Sequence, residues 1–352
     1  MIRKETYTAE WIQALRVKLG KKVDPKMIEK VINALVLLEQ LKLQGLDLVF
    51  KGGTCLLLTS KSPKRFSIDI DIITTQSEDD LTKALDEIVK GELFTKWQSD
   101  NDRKTALDAP IAHYKIYYAS KIDDNFGEEP ILLDVLFASN PYPKLSEHPI
   151  QHDWLQHDGD PVMVQIPIYD CILGDKLTAF APKTTGILYS KDRPVEIIKQ
   201  LHDLGFLFDE ISDLGLVKES YRRIVVEELG YRKLQISENE VLDDTIEACL
   251  VIAKREANND DFKHLLKGIT NITNFIISRF KIEEAVVAAG KVAYLCLLLK
   301  RENGALVPEK FKSPEQIRTL NIDHPEYGWL NKLKKSNPEA FFYWEKAIAL
   351  KA

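Results

Sequence analysis

The spacing of apolar residues changes character once along this chain, at about residue 168. Before that point, short apolar or alternating runs are interspersed with helical segments. After it, nearly every segment repeats at helical spacing. A period of two puts successive side chains on opposite faces of a strand, whereas the helical period lays them along one face. A chain patterned this way is expected to be α+β: a small mixed-sheet half followed by a larger, mostly helical half. The polar stretch Asn140–Gly159 is the expected hinge. It places an α/β domain with N-terminal helices at residues 1–150 and a helical domain at residues 160–352. A length of 352 residues suits two such units.

The individual elements follow from the same patterns. Asp24 is an expected N-cap with Pro25 in the first turn and Gly45 as the stop; between them Met27, Ile28, Val31, Ala34, Leu35, Leu38 and Leu41 recur at helical spacing. Leu46–Phe50 reads as a buried strand, Lys51-Gly52-Gly53-Thr54 as a turn, and Cys55–Leu58 as the start of a helix. Arg65–Thr74 reads as a second strand, with Ser67, Asp69 and Asp71 on one face and Ile68, Ile70 and Ile72 on the other. Leu81–Val89 is helical; His113–Ser120 and Ile131–Ala138 are strands flanking a turn-rich stretch at 123–130. In the second half, helices are expected at Asp170–Ala181, Pro194–Phe208, Val217–Leu229, Glu240–Ala257, Asp260–Phe280 and Ile282–Leu299. Shorter ones are expected around Pro314–Leu320 and Pro338–Leu350.

Composition excludes several function classes. Lys and Arg number 48 against 54 Asp and Glu, a formal charge of −6, so bulk charge does not make this a nucleic-acid coat. Local patches remain open, at Lys61–Arg65, Lys176–Lys199 and Lys291–Lys335, the last with Tyr327 and Trp329 interleaved. No run approaches the ~20 apolar residues a membrane span needs, since Lys291 interrupts Ala285–Leu299. The N-terminus has no apolar core of a secretory signal. Cys55, Cys171, Cys249 and Cys296 are scattered and read as core residues in a reducing compartment. A soluble cytoplasmic protein is expected. His148, His152 and His157, beside Asp153 and Asp158, lack the helical or cysteine framing of a zinc site and read as a loop surface. No G-x-S-x-G or H-E-x-x-H occurs.

Three features of the first half carry chemistry. A strand, Gly52-Gly53-Thr54 and a helix follow one another; two glycines let a ligand approach the backbone, and a helix N-terminus offers free N–H groups to phosphate. The spacing fits neither a Walker A loop nor a dinucleotide loop. In Ser67-Ile68-Asp69-Ile70-Asp71, two carboxylates two residues apart on a strand lie roughly 6.5–7 Å apart and can hold Mg²⁺ bridging to phosphates. Taken alone, the pair reads more readily as a solvent-facing strand edge, where alternating polar residues are expected. Asp134, within an apolar strand, is costly to bury unless paired or metal-bound. It would become a third ligand if its strand lay beside Ser67–Ile73.

Together these residues resemble the DNA polymerase β-like nucleotidyltransferases. More narrowly, Lys51-Gly52-Gly53-Thr54-Cys55-Leu56 with Arg65-Phe66-Ser67-x-Asp69-x-Asp71 resembles the AbiEii/AbiGii toxin family. Gly174-Asp175-Lys176-Leu177-Thr178, Thr184-Thr185-Gly186-Ile187 and Lys199-Gln200-Leu201-His202-Asp203-Leu204 are similar to later motifs of that family. The likeness covers roughly residues 48–210.

The resemblance implies roles. Asp69 and Asp71 would coordinate Mg²⁺ or Mn²⁺, with Asp134 as a third carboxylate. Lys51, Gly52, Gly53, Thr54 and Ser67 would line the nucleotide. Lys176 would bind the triphosphate, and Asp203 would join Asp69, Asp71 and Lys176 in catalysis. Without the resemblance, Lys176 reads as a solvated lysine, and Asp203 as a surface partner of Lys199. The implied activity transfers a nucleotide from an NTP to an acceptor hydroxyl, such as the 3′ end of tRNA or another RNA. The implied role is that of a toxin in a toxin–antitoxin or phage-defence pair, with an antitoxin that forms no stable complex. Two other readings keep the fold: transfer to a protein side chain or a small molecule such as an aminoglycoside, and an inactive nucleotide-binding relative. The intact Asp69/Asp71 pair argues against the latter.

Overall fold

The computed structural model describes residues 1–20, 23–100, 109–122, 127–301 and 307–351. Among these, the chain divides into two compact units. The first holds Met1–Asn140, Leu145–Pro167 and Phe275–Ser278; the second holds Pro141–Lys144, Ile168–Asn274 and Arg279–Ala352. The change of unit at Pro167/Ile168 coincides with the change of periodicity. The fold is α+β, as expected.

The first unit is built on a mixed sheet. Its strands are β1 (Val49–Lys51), β2 (Ile70–Thr74), β3 (Phe94–Ser99), β4 (Ile111–Ala119), β5 (Glu128–Phe137), β6 (Leu145–Pro149) and β7 (Met163–Pro167), in the order β3-β4-β5-β2-β1-β7-β6. β2 runs parallel to β5 and β1 parallel to β7; the other neighbours are antiparallel. Its helices are α1 (Ala9–Leu19), α2 (Pro25–Leu43), α3 (Gly52–Thr59) and α4 (Glu78–Ile88). α2 starts where expected: the Asp24 carboxylate accepts the Lys26 N–H, and Pro25 opens the helix. Two of its carboxylates are buried but satisfied. Glu29 accepts from the Ser120 hydroxyl and the Lys121 N–H, and Glu39 accepts from the Ile2 N–H.

The second unit is helical: α5 (Tyr169–Ala179), α6 (Pro194–Asp209), α7 (Leu214–Arg232), α8 (Glu238–Lys254), α9 (Asp260–Asn271), α10 (Ile282–Lys300), α11 (Leu333–Ser336) and α12 (Pro338–Ala349). α10 is its centre. Its apolar residues are buried against α6, α8 and α12, and its one buried ammonium, Lys291, is paired with Asp209 (2.7 Å) and Glu339 (3.3 Å).

Several expected elements are corrected. The strand expected over Arg65–Thr74 begins only at Ile70, because the backbone ahead of it pairs elsewhere. The Phe66 N–H donates to the Phe275 carbonyl (2.7 Å), and the Ile277 N–H donates to the Lys64 carbonyl (2.9 Å). The helix expected over Asp260–Phe280 correspondingly ends at Asn271, and residues 275–278 join the first unit as that pairing strap. The expected hinge stretch contains β6, which pairs with β7. β3 is an edge strand with most side chains exposed, so it lacks an apolar alternation to read. Part of the 123–130 stretch lies outside the described residues.

The three histidines of the polar stretch serve the backbone. His148 Nδ1 meets the Pro149 carbonyl (2.7 Å), His152 Nδ1 accepts the Trp154 N–H (3.2 Å), and His157 Nε2 meets the Ile150 carbonyl (2.8 Å). All four cysteines are buried, and none is in a disulfide.

Candidate active site

The site in the first unit grows from the turn between β1 and α3. Gly52 sits at φ +80°, where L side chains are strained, and a Cβ there would lie 2.1 Å from Asp71 Oδ2. A Cβ on Gly53 would lie 2.6 Å from both Arg65 Nη2 and Ser67 Oγ. Asp71, Arg65 and Ser67 are therefore pressed against the start of α3, whose N-cap residue, Lys51, contributes no capping hydrogen bond from its side chain. The first N–H groups of a helix lack intrahelical acceptors and carry the positive end of its dipole, which suits phosphate. Thr54, expected beside the nucleotide, is fully buried, and its hydroxyl donates to the Asp69 carbonyl (2.5 Å). Its side chain holds the aspartate backbone in place.

Strand register brings the charged residues into one row. Lys51 is the cross-strand partner of Asp71, Asp71 of Asp134, and Asp134 of His113. Directly paired residues project from the same face of a sheet. The four are partly exposed, whereas Phe50, Ile70, Ile72, Leu133, Val135, Ala112 and Tyr114, the alternate residues, are buried on the opposite face. His113 Nδ1 lies 2.7 Å from Asp134 Oδ1. Asp69 falls just outside the strand, two residues before Asp71.

The donor set suits a hard cation. Mg²⁺ takes oxygen ligands and commonly uses only one or two carboxylates, completing its shell with substrate phosphates and water. Asp69 and Asp71 fit that requirement; Asp134 lies in register beside them but is engaged by His113. Among the described residues, no three His, Cys, Asp or Glu side chains form a metal-ligand group by themselves.

The second unit carries its own cluster. Lys176 on α5 is 6% exposed and Asp203 on α6 is 4% exposed; the ammonium lies 2.9 Å from Asp203 Oδ2 and donates to Gln200 Oε1 at 3.0 Å. Lys199, the surface partner considered for Asp203, pairs with Glu196 at 2.9 Å. Asp175 accepts the Tyr142 hydroxyl (2.5 Å). Thr184 and Thr185 are consumed by the fold, donating to the Asp244 carboxylate and the Thr178 carbonyl.

A family model, described as the nucleotidyl transferase AbiEii toxin of a type IV toxin–antitoxin system, matches residues 36–273, more than half of the chain. The chain belongs to the AbiEii nucleotidyltransferase toxin family. It is thus a nucleotidyltransferase. Among solved structures it is similar to a candidate nucleotidyltransferase from H. pylori, at 18% identity over 79% of this chain and 96% of that one, with a TM-score of 0.39. It is also similar to an antigenic nucleotidyltransferase-like protein from Paracoccidioides brasiliensis, at 13% identity over 60% and 96%, with a TM-score of 0.36. Among curated proteins, none matches the chain. No helix among the described residues is long and apolar enough to cross a membrane.

Within this AbiEii member, two residues gain a place that spacing did not suggest. Arg65 is buried against Gly53 and donates from Nη1 to the Phe66 carbonyl (2.9 Å); its backbone bridges to Ile276 in the strap, over two hundred positions away. His113 is visible in sequence only as one polar position of an alternating strand; its pairing with Asp134 is a matter of register. The basic stretch Lys291–Lys335 proves largely structural. Lys300 pairs with Asp243, Lys310 donates to the Asp209 carbonyl, Lys334 donates to the Arg318 and Leu320 carbonyls, and Lys332 lies over the Trp329 ring. Residues 302–306 of that stretch lie outside the described residues.

Proposed function

We propose that this AbiEii nucleotidyltransferase joins the α-phosphate of an NTP to the 3′-terminal hydroxyl of tRNA, and acts as the toxin of a toxin–antitoxin or phage-defence pair. The observation that supports it best is the row Lys51–Asp71–Asp134–His113 beside the start of α3. Such transfer depends on positioning and charge neutralisation more than on covalent chemistry with the protein. Asp69 and Asp71 would hold Mg²⁺, or Mn²⁺, which when bound neutralises charge on the triphosphate. Gly52, Gly53 and Ser67 would admit the phosphates to the α3 N-terminus, with Lys51 at its edge. Lys176 would bind the triphosphate, and Asp203 would support it. The acceptor oxygen attacks the α-phosphorus, the bond from that phosphorus to the bridging oxygen breaks, and pyrophosphate leaves. The acceptor proton would pass to a carboxylate; the contact of Asp134 with His113 supports Asp134 in that role. The resemblance supports tRNA as acceptor and an antitoxin that works without a lasting complex; a cytoplasmic setting follows from both.

Purified protein incubated with α-labelled NTPs and total tRNA tests this reading. Label should appear at the tRNA 3′ end, and Asp69→Ala and Asp71→Ala should abolish both labelling and growth inhibition. Label on protein or on an aminoglycoside would move the acceptor to another class. Full activity of Asp69→Ala would overturn the mechanism.

A further inference from the structure

Lys176 is a buried ammonium with three donors, and a buried donor left unmet is costly. Two of the three are accounted for. One faces the Asp203 carboxylate at 2.9 Å, and one faces the side-chain oxygen of Gln200 at 3.0 Å. Gln200 and Asp203 stand three residues apart on α6, so they share one helical face and grip the ammonium from one side. An ammonium cannot accept a hydrogen bond, which fixes the Gln200 amide with its oxygen toward Lys176. Among the described residues the third donor of Lys176 meets no protein acceptor.

We infer that Gln200 is a positioning residue for nucleotide binding: it sets the direction of the Lys176 ammonium, while Asp203 supplies the counter-charge. This rests on Lys176 as the triphosphate-binding group. A neutral acceptor is the chemically suitable partner. With Asp203 alone, a flexible lysine stem could swing about a single contact. A second carboxylate at position 200 would place two negative charges against one ammonium and repel the incoming triphosphate. The amide oxygen restrains the ammonium without adding charge, leaving its remaining donor for a phosphate oxygen.

Gln200 is half-buried, so substitutions of similar volume should leave the fold intact. The test uses the full chain, with NTP binding measured by calorimetry, KM and kcat by transfer of label, and thermal unfolding alongside. Gln200→Met, which removes the acceptor, should raise the Kd and KM for NTP roughly tenfold while kcat changes far less. Gln200→Glu keeps the acceptor but adds a charge, and should raise them at least as much with the unfolding midpoint unchanged. A merely structural glutamine would tolerate Gln200→Glu. Normal NTP affinity in that variant therefore overturns the inference, even if Gln200→Met fails to fold. Lys176→Ala separates the two levels. If it leaves NTP affinity unchanged, the assignment of Lys176 fails; if it weakens affinity while both Gln200 variants bind normally, only the role of Gln200 fails.

Discussion

Replacing Gly52 by alanine perturbs the one turn that sets the helix start against the carboxylate row. Two costs add. Alanine at φ +80° carries a left-handed penalty of about 1–2 kcal/mol. Its Cβ would also lie 2.1 Å from Asp71 Oδ2 and 2.8 Å from Asp71 Cγ, so the carboxylate must retreat by about 1 Å to reach even a tight contact. Forcing extra volume into a packed site costs about 1–3 kcal/mol more. Gly45 provides the control. It sits at φ +82°, yet nothing lies within 4 Å of a Cβ placed on it. Gly45→Ala should therefore lose only the conformational part, about 1–2 kcal/mol by urea denaturation, with transfer activity intact. Gly52→Ala should lose about 2–5 kcal/mol. It should also lose about a hundredfold or more in transfer of label from NTP, since a displacement near 1 Å commonly costs that much. The reasoning is refuted if Gly52→Ala, assayed where it is fully folded, transfers nucleotide as fast as Gly45→Ala.

The buried Lys176–Asp203 pair predicts a non-additive pair of substitutions. Asp203→Leu should destabilise by about 3–5 kcal/mol because it strands a buried ammonium, whereas adding Lys176→Met should recover most of that loss without activity. Equal urea midpoints for the single and double variants would count against it. The strap predicts a long-range effect. Ile277→Pro removes the N–H that donates to Lys64, costing about 1 kcal/mol of stability, yet transfer should fall at least about tenfold because the backbone leading to Ser67 and Asp69 loosens. An activity loss no larger than the unfolded fraction would refute this. Finally, burial lowers the His152 pKa from 6.5 to about 4, with Asp153 opposing in part. Between those values the unfolded chain takes up a proton that the folded chain refuses, so stability falls as pH drops from about 6.5 to 4, by about 3 kcal/mol from this group. Denaturation at pH 7 and pH 4 should show His152→Asn losing less than the native chain; parallel pH profiles would refute it.

Local signals were legible where side chain and backbone agree over a few residues. Asp24 and Pro25 start α2 as their chemistry requires, and the 3.6-residue period locates α5 to α8 to within a few positions. The Gly52–Gly53 turn carries its own explanation once Asp71, Arg65 and Ser67 are seen against it. Periodicity misled where a segment's partners lie far away. Arg65–Thr74 alternates like a strand throughout, but residues 64–66 bond to 275–277, and no local pattern can report so distant a pairing. The lysines after 291 look alike in sequence; whether each meets solvent, a carboxylate, a carbonyl or a ring depends on what packs beside it.

Residue chemistry and periodicity along the chain already specify the two kinds of secondary structure, the change between them near residue 168, and the residues expected to bear chemistry in the first half: a glycine pair, the Asp69/Asp71 motif and Asp134. These follow from covalent chemistry and short-range periodicity, which any ten residues contain. Tertiary structure alone decided how they combine. Register, not spacing, set Asp71 between Lys51 and Asp134 and gave Asp134 to His113. Helix packing turned Lys176 from a surface lysine into a buried ion held by Asp203 and Gln200. The physical reason is the same in both cases: an ionised group's partner is whichever opposite charge or acceptor the fold brings within about 3 Å, and distance along the chain does not set that.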